Sequence, residues 1–175
     1  DRAMSEFQHL FTPLRIGTTT VPNRILQTSH AKMFEDFVRG DGPDGSFALP
    51  SERNALYHAE RAKGGAGLIT MEYHMVHPTS TGGIPYLAHA YRKEIIPRYR
   101  MVADMVHGQG TGTKVFGQIC HVGMHTAGDQ IDVLHEVWAP SAVPGLSRSG
   151  IPKVMEKRDI GEAVQAFALS AENVR

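Results

Sequence analysis

An α/β fold laid out as the opening part of a TIM (β/α)8 barrel is predicted by three features of the sequence. Strand-like segments at residues 23–28, 66–72 and 113–119 alternate with helix-like stretches, the rhythm that produces a parallel sheet. Each segment ends in polar residues, Gln27-Thr28-Ser29-His30, Glu72-Tyr73-His74 and Gln118-Ile119-Cys120-His121. Folds of this class place cofactors and chemistry at the carboxyl ends of their parallel strands. The loops after the strands are long and no Gly-x-Gly-x-x-Gly turn follows the first, which favours a barrel over an open doubly wound sheet. Three of eight strands cannot close a barrel. Residues 1–175 are therefore expected to form the amino-terminal hairpin and first three βα units of one domain, with residues 1–3 ahead of Met4 an appended extension.

Residues 10–21 place Phe11, Leu14 and Ile16 around turn residues Gly17 and Thr18, the pattern of a hairpin covering the bottom of the barrel. After the first strand, residues 31–50 are rich in Gly, Asp and Pro and read as a long loop. Ser51 is the expected N-cap of a helix over residues 52–63 with Ala55, Leu56, Ala59 and Ala62 on its inner face, ended by Gly64-Gly65. Residues 66–72 are apolar without alternation, as in a strand covered on both faces. A loop with Pro78, Gly82, Gly83 and Pro85 follows. The spacing of Ile95, Tyr99, Val102, Ala103 and Val106 predicts a helix over residues 92–108, with Pro97 tolerated near its first turn. Residues 120–155 read as a long rim loop. The last helix is expected to start at Asp159 as N-cap with Glu162 as its reciprocal partner, and to pack through Ile160, Val164, Phe167, Ala168, Ala171 and Val174.

Of the 175 residues, 41% are hydrophobic and 21% charged, the range of one globular domain. The 18 basic and 18 acidic residues balance to zero, so no nucleic acid or anionic membrane is expected as partner. The single cysteine, Cys120, excludes an internal disulfide and a Cys-only metal site and fits a cytoplasmic setting. No apolar run reaches the roughly 20 residues that cross a bilayer.

At the first strand end, Thr28, Ser29 and His30 offer hydroxyl, imidazole and backbone groups to the rim of a planar heterocycle, or simply begin a polar loop. Tyr73 is suited to stacking or to packing, and Glu72 needs a partner if buried. Gln118 is the sharpest single signal: a carboxamide near the end of a buried strand complements the pyrimidine edge of a flavin, or bonds neighbouring backbone. Cys120, His121 and His125, with His74 and His77, match no standard zinc spacing, so no metal site is expected and His121 reads as a buried, hydrogen-bonded residue shaping its loop. Hydrolase, Walker and His-Glu-x-x-His motifs are lacking.

Taken together, Phe11-Thr12-Pro13-Leu14-Arg15-Ile16-Gly17, Val21-Pro22-Asn23-Arg24-Ile25, Tyr57 with Arg61-Ala62-Lys63-Gly64-Gly65-Ala66-Gly67-Leu68-Ile69, Gly117-Gln118-Ile119-Cys120-His121-Val122-Gly123 and Ala139-Pro140-Ser141-Ala142-Val143-Pro144 resemble the old yellow enzyme family of flavin oxidoreductases. That group includes 2,4-dienoyl-CoA reductase and trimethylamine dehydrogenase. The resemblance implies an FMN-dependent NADH:flavin oxidoreductase of ene-reductase or amine-dehydrogenase type, passing hydride from NAD(P)H or an amine to an activated alkene or other small-molecule acceptor. It implies that Thr28, Ser29, His30, Tyr73 and Gln118 contact FMN. Glu72-Tyr73 looks most like the amine-dehydrogenase branch. Ala31 stands where that branch can carry its flavin-linking cysteine, so covalent attachment is not expected, and Met124 stands where an arginine is common. No catalytic residue is assigned, because the family's substrate-anchoring pair, its arginine beside flavin N1 and its proton-donating tyrosine lie on later strands. Any iron-sulfur cluster would lie downstream. The competing expectation is a non-catalytic half-barrel that pairs its open edge with a second copy or another chain, as a homo-oligomer or by completion with the remaining half.

Overall fold

The structure, a computed structural model, describes residues 6–40, 46–80, 87–125, 136–145 and 151–175. Residues 1–3 and the loop residues Gly82, Gly83 and Pro85 lie outside them. After a helical turn at Gln8–Phe11, β1 (Leu14–Ile16) and β2 (Thr19–Val21) form the expected hairpin around Gly17, whose φ of 59° is the left-handed step the turn requires. The central sheet holds β3 (Leu26–Gln27), then a strand over Leu68–Met75 and one over Lys114–Cys120, side by side and parallel. That order is the one expected for the first strands of a barrel.

The first strand is shorter than expected, and Asn23 explains why. Its side chain donates to Gly65 O at 2.9 Å and accepts from Ile25 N–H at 3.0 Å, while Arg24 N–H is taken by Leu10 O. These local bonds withdraw residues 23–25 from the ladder. The same asparagine demands glycine at position 67, where a Cβ would sit 2.5 Å from Asn23 Oδ1. Gly67→Ala is expected to lower stability by about 1–3 kcal/mol, seen as a fall in the urea midpoint; an unchanged midpoint would mean that Asn23 is free to move aside.

The expected loop at residues 31–50 is instead partly a hairpin, β4 (Asp36–Arg39) antiparallel to β5 (Ser46–Leu49). Its Phe47, Ala48 and Leu49 are buried, with Ala48 O accepting from His89 N–H. The glycines and proline between the two short strands mask their alternation. Ser51 caps α1 (Glu52–Lys63) through Asn54 N–H as predicted. Leu56 lies outside the packed face, half exposed, and Asn54 and His58 join Ala55, Ala59 and Ala62 on it. β6 (Leu68–Met75) runs past Glu72, so Tyr73 and His74 lie within the strand. α2 (Ile95–His107) buries Ile95, Tyr99, Val102 and Val106, and β7 is Lys114–Cys120. The rim loop contains a parallel pair, β8 (Trp138–Ala139) with β9 (Lys153–Val154).

The last helix, α3 (Lys157–Asn173), starts three residues earlier than predicted. Glu156 takes the cap position and its N–H bonds the Asp159 carboxylate at 2.9 Å, while Glu162 reaches His77 Nε2 at 3.1 Å. Its expected apolar stripe is mostly outside the packing: Ile160 is 51% and Val164 63% exposed. Asp159, Ala166, Ser170 and Asn173 form the buried face. Small residues there allow close approach, with Asn173 Nδ2 donating to Ala90 O and Val174 against Gly117.

Core packing is one-sided. Ile69 and Met71 of β6, with Val115 and Ile119 of β7, pack against Ala55 and Ala62 of α1 and Ile95, Tyr99, Val102 and Val106 of α2. The opposite face of the sheet leaves Leu26 and Phe116 substantially exposed.

Candidate functional site

One irregularity in the sheet decides what faces where. Thr70 pairs with Phe116 and Tyr73 with Gln118, so three steps along β6 match two along β7. This β-bulge resets the alternation. In a regular strand Glu72 would share the open face with Gln118; with the extra residue Tyr73 takes that place, and Glu72 and His74 turn toward the helices. Gln118 lies on the exposed middle of β7, so the buried carboxamide expected there is instead an open-face one beside Tyr73. β3 lies on the other side of β6, and residues 28–30 follow it at the same carboxyl edge. The outer strands are two inter-strand spacings apart, roughly 10 Å, the span of a tricyclic ring.

The turn itself is anchored to α1. His30 Nε2 meets Tyr57 Oη at 2.8 Å and its Nδ1 the Thr28 carbonyl at 3.2 Å, so its ring is already engaged by protein. Arg61 lies over the Tyr57 ring at 3.2 Å. Ser29 Oγ is buried without a hydrogen-bond partner among the described residues, a group that a polar heterocycle edge would satisfy, whereas Gln27, in register with Ile69 and facing His58, lies on the helix side. Thr28 is exposed. Thr28, Ser29, Tyr73 and Gln118 thus share one edge of the sheet, with His30 turned to α1 beside them. The clefts between α2 and the end of α3, lined by Tyr99, Ala103 and Val174, lie on the helix side, away from this edge.

Behind the turn is a buried ionic network that the sequence reading did not assemble. Lys32, whose side chain is only 3% exposed, donates to the fully buried Glu72 carboxylate, and its Nζ is 3.2 Å from His58 Nε2. His58 Nδ1 faces Gln27 Oε1 at 3.4 Å. Asn54 Nδ2 donates to Glu35 Oε1 at 3.4 Å. Burial pushes the Glu72 carboxyl up, but His58 and Lys32 outweigh it and hold the group well below the usual range. Burial lowers both Lys32 and His58, and Glu72 opposes it in each. Burial, then the hydrogen bond and charge of Glu72, raise Glu35 to about 7. His74, lowered to about 4 by burial, bonds the Tyr99 hydroxyl. The signals for this network were the need of a buried Glu72 for a partner and the i, i+4 pair Asn54 and His58 among the alanines of α1.

His121 is hydrogen-bonded as expected, Nδ1 accepting from Gly123 N–H and Nε2 meeting Thr79 Oγ1 at 3.0 Å, but is only partly buried because it stands on the rim just after β7. His77 also bonds Thr79 and stacks on Trp138, ring centroids 4.7 Å apart. Burial pushes the Cys120 thiol up to about 11. Among the described residues no group of three His, Cys, Asp or Glu is placed to hold a metal, and no helix is long and apolar enough to cross a membrane.

A sequence model of the NADH:flavin oxidoreductase / NADH oxidase family matches residues 9–175. A probable N-methylproline demethylase of Rhizobium meliloti (strain 1021) is 32% identical over 167 residues, covering 95% of this chain and 23% of its own length. The N,N-dimethylglycine/sarcosine dehydrogenase of Chromohalobacter salexigens is 30% identical over 170 residues, covering 97% and 23% respectively. Among solved structures, morphinone reductase in complex with tetrahydroNAD superposes with a TM-score of 0.75 at 26% identity, over 94% of this chain and 45% of that one. The chain spans about a quarter of the length of these two curated relatives.

Proposed function

The chain belongs to the NADH:flavin oxidoreductase / NADH oxidase family and carries the opening part of its barrel; from that premise we propose that it forms one side of an FMN site in a cytoplasmic oxidoreductase. The observation that carries this is the bulge that sets Tyr73 beside Gln118 on the open face, at the same sheet edge as the Ser29 hydroxyl, which has no partner among the described residues. Gln118 would bond the pyrimidine edge, Tyr73 would wall the ring, and Thr28 and Ser29, with His30 beside them, would meet its rim. FMN, when bound, supplies hydride transfer between a donor and a second substrate. The protein's part is to hold the ring, orient the donor and keep water from it.

The donor is NAD(P)H or an amine and the acceptor an activated alkene or other small molecule. The Glu72-Tyr73 pair, and relatives named for demethylation or dehydrogenation of N-methylated amino acids, favour the amine. The intact protein should be yellow as purified, and its flavin absorbance should bleach anaerobically with NADH, NADPH or an N-methylated amino acid. A colourless protein that takes up no added FMN would refute this function. Gln118→Ala should weaken FMN binding about tenfold, the worth of roughly one hydrogen bond to a polar ring edge, with little change in melting temperature because the side chain is exposed. Fluorescence quenching of FMN gives the two dissociation constants, and equal values would remove Gln118 from the site.

The exposed Leu26 and Phe116 on the open face, and Ile160 and Val164 on α3, favour completion of the sheet by further polypeptide, from the rest of the same barrel or from a second copy. Sedimentation of the intact protein distinguishes a self-sufficient monomer from an assembly.

A further inference from the structure

Two carboxyl groups meet in the network behind the turn. Glu35 and Glu72 contact Asn54 and His58, one turn apart on α1, each at 3.4 Å, and hydrogen-bond with each other, yet Glu35 Oε2 and Glu72 Oε1 are both buried with no donor among the described residues. Ionised carboxylates only accept, so two of them side by side leave both oxygens unsatisfied. Lys32 supplies one positive charge, bound to Glu72, and a neutral His58 supplies none. Charge and hydrogen-bond requirements are met together when the two acids carry a single proton.

The backbone is shaped to bring these groups in. Met33, between Lys32 and Glu35, adopts φ of 56°, a left-handed step rare for a residue with a side chain, and its own side chain points outward, 61% exposed. That step lets Lys32 and Glu35 both face inward. Lys32 lies two residues after His30, and Gln27, which meets His58, lies two residues before Ser29.

We propose that Glu35 and Glu72 share one proton, and that this pair, with Lys32 and His58, is a positioning device holding the turn at residues 28–30 in the conformation that grips the cofactor. The second half rests on the FMN function proposed above. The groups facing the pair are Asn54 and His58 from α1, Lys32 from the turn, His74 from β6 and Tyr99 from α2, with Arg61 of α1 behind Lys32 and His58. Loss of the shared proton puts two negative charges against one Lys32, and their repulsion moves Glu35, and the backbone joined to it, away from β6.

The direct test is infrared spectroscopy of the protein with and without FMN. A carboxylic-acid carbonyl band is expected at pH 6, fading as the pH rises through about 7, and missing in Glu35→Gln. A wild-type spectrum with no such band overturns the shared proton, and that measurement does not depend on the variant folding. Stability gives a second reading. A carboxyl raised from 4.5 to about 7 on folding contributes stability fully present below 4.5 and lost as the pH rises through 7. Glu35→Gln keeps the donor at all pH, so its urea midpoint should exceed that of the wild type at pH 8 and approach it near pH 5. The buried His58 and His74, whose contributions run the opposite way, are common to both proteins. For positioning, the FMN dissociation constant of the wild type should rise about tenfold more than that of Glu35→Gln between pH 6 and 9; parallel pH profiles overturn the positioning role. If no FMN binds at any pH while the band is present, the cofactor function fails and the shared proton stands.

Discussion

Lys32→Met is expected to destabilise the protein by about 3–5 kcal/mol at neutral pH, because it strips a fully buried carboxylate of its cation. Glu72 has no exposed surface, and of its remaining close partners His58, at 3.4 Å, is pushed toward its neutral form by burial and Glu35 brings no positive charge. Methionine matches the lysine stem in length, so packing is largely kept and the loss is electrostatic. In the wild type Glu72 is held below its ordinary value of 4.5, so its contribution is present above that pH and is lost as the pH falls through the folded value. The variant keeps the lowering by the His58 hydrogen bond and lacks the part that Lys32 supplies. The gap between the two proteins should be widest above about pH 5 and narrow below it. Lys32 is itself held below its ordinary value by burial, a cost the variant escapes. The double variant K32M/E72Q should therefore recover about 2 kcal/mol or more of the single-variant loss. Urea unfolding of the four proteins in the cycle measures this, and additive losses would show that Lys32 and Glu72 are not coupled.

Ile69→Ala is expected to cost about 2–5 kcal/mol. Ile69 has no exposed surface, stands on the middle strand of the sheet, and is paired in register with Gln27 on one side and Val115 on the other. Its side chain is part of the layer shared with α1 and α2, so truncation leaves a void that three elements would have to close together. Tyr73 and Gln118 lie on the opposite face. The FMN dissociation constant should consequently stay within about twofold of the wild type under folding conditions, while the urea midpoint falls. A variant that keeps its stability would mean that the core collapses around the smaller side chain, and one that loses FMN affinity in proportion would mean that the two faces of the sheet are not independent.

These two substitutions also mark how far the sequence could be read. Ile69 was legible as core because β6 is an apolar run after a glycine pair, and a strand covered by helices needs no alternation to announce itself. Lys32 was not legible. Its proximity to Glu72 is a contact across 40 positions, made by a left-handed step at Met33 that no local propensity predicts. The stripe on α3 shows the opposite failure: Ile160, Val164 and Phe167 recur at helical spacing, yet the face buried here carries Ala166, Ser170 and Asn173, because small residues set how closely the helix approaches β7. The hairpin at β4 and β5 was hidden by the glycines and proline that join its two short strands.

By itself the sequence determined the parallel order of β3, β6 and β7, the three helices that follow them, and the polar character of the strand ends, since periodicity, caps and glycine stops are properties of neighbouring residues. Only the tertiary structure decided which of those polar residues face the open side. That choice turns on one extra residue in β6, which sends Tyr73 out to join Gln118 and Glu72 in to join Lys32, and the register of a strand is settled by what packs on its two faces rather than by its own side chains.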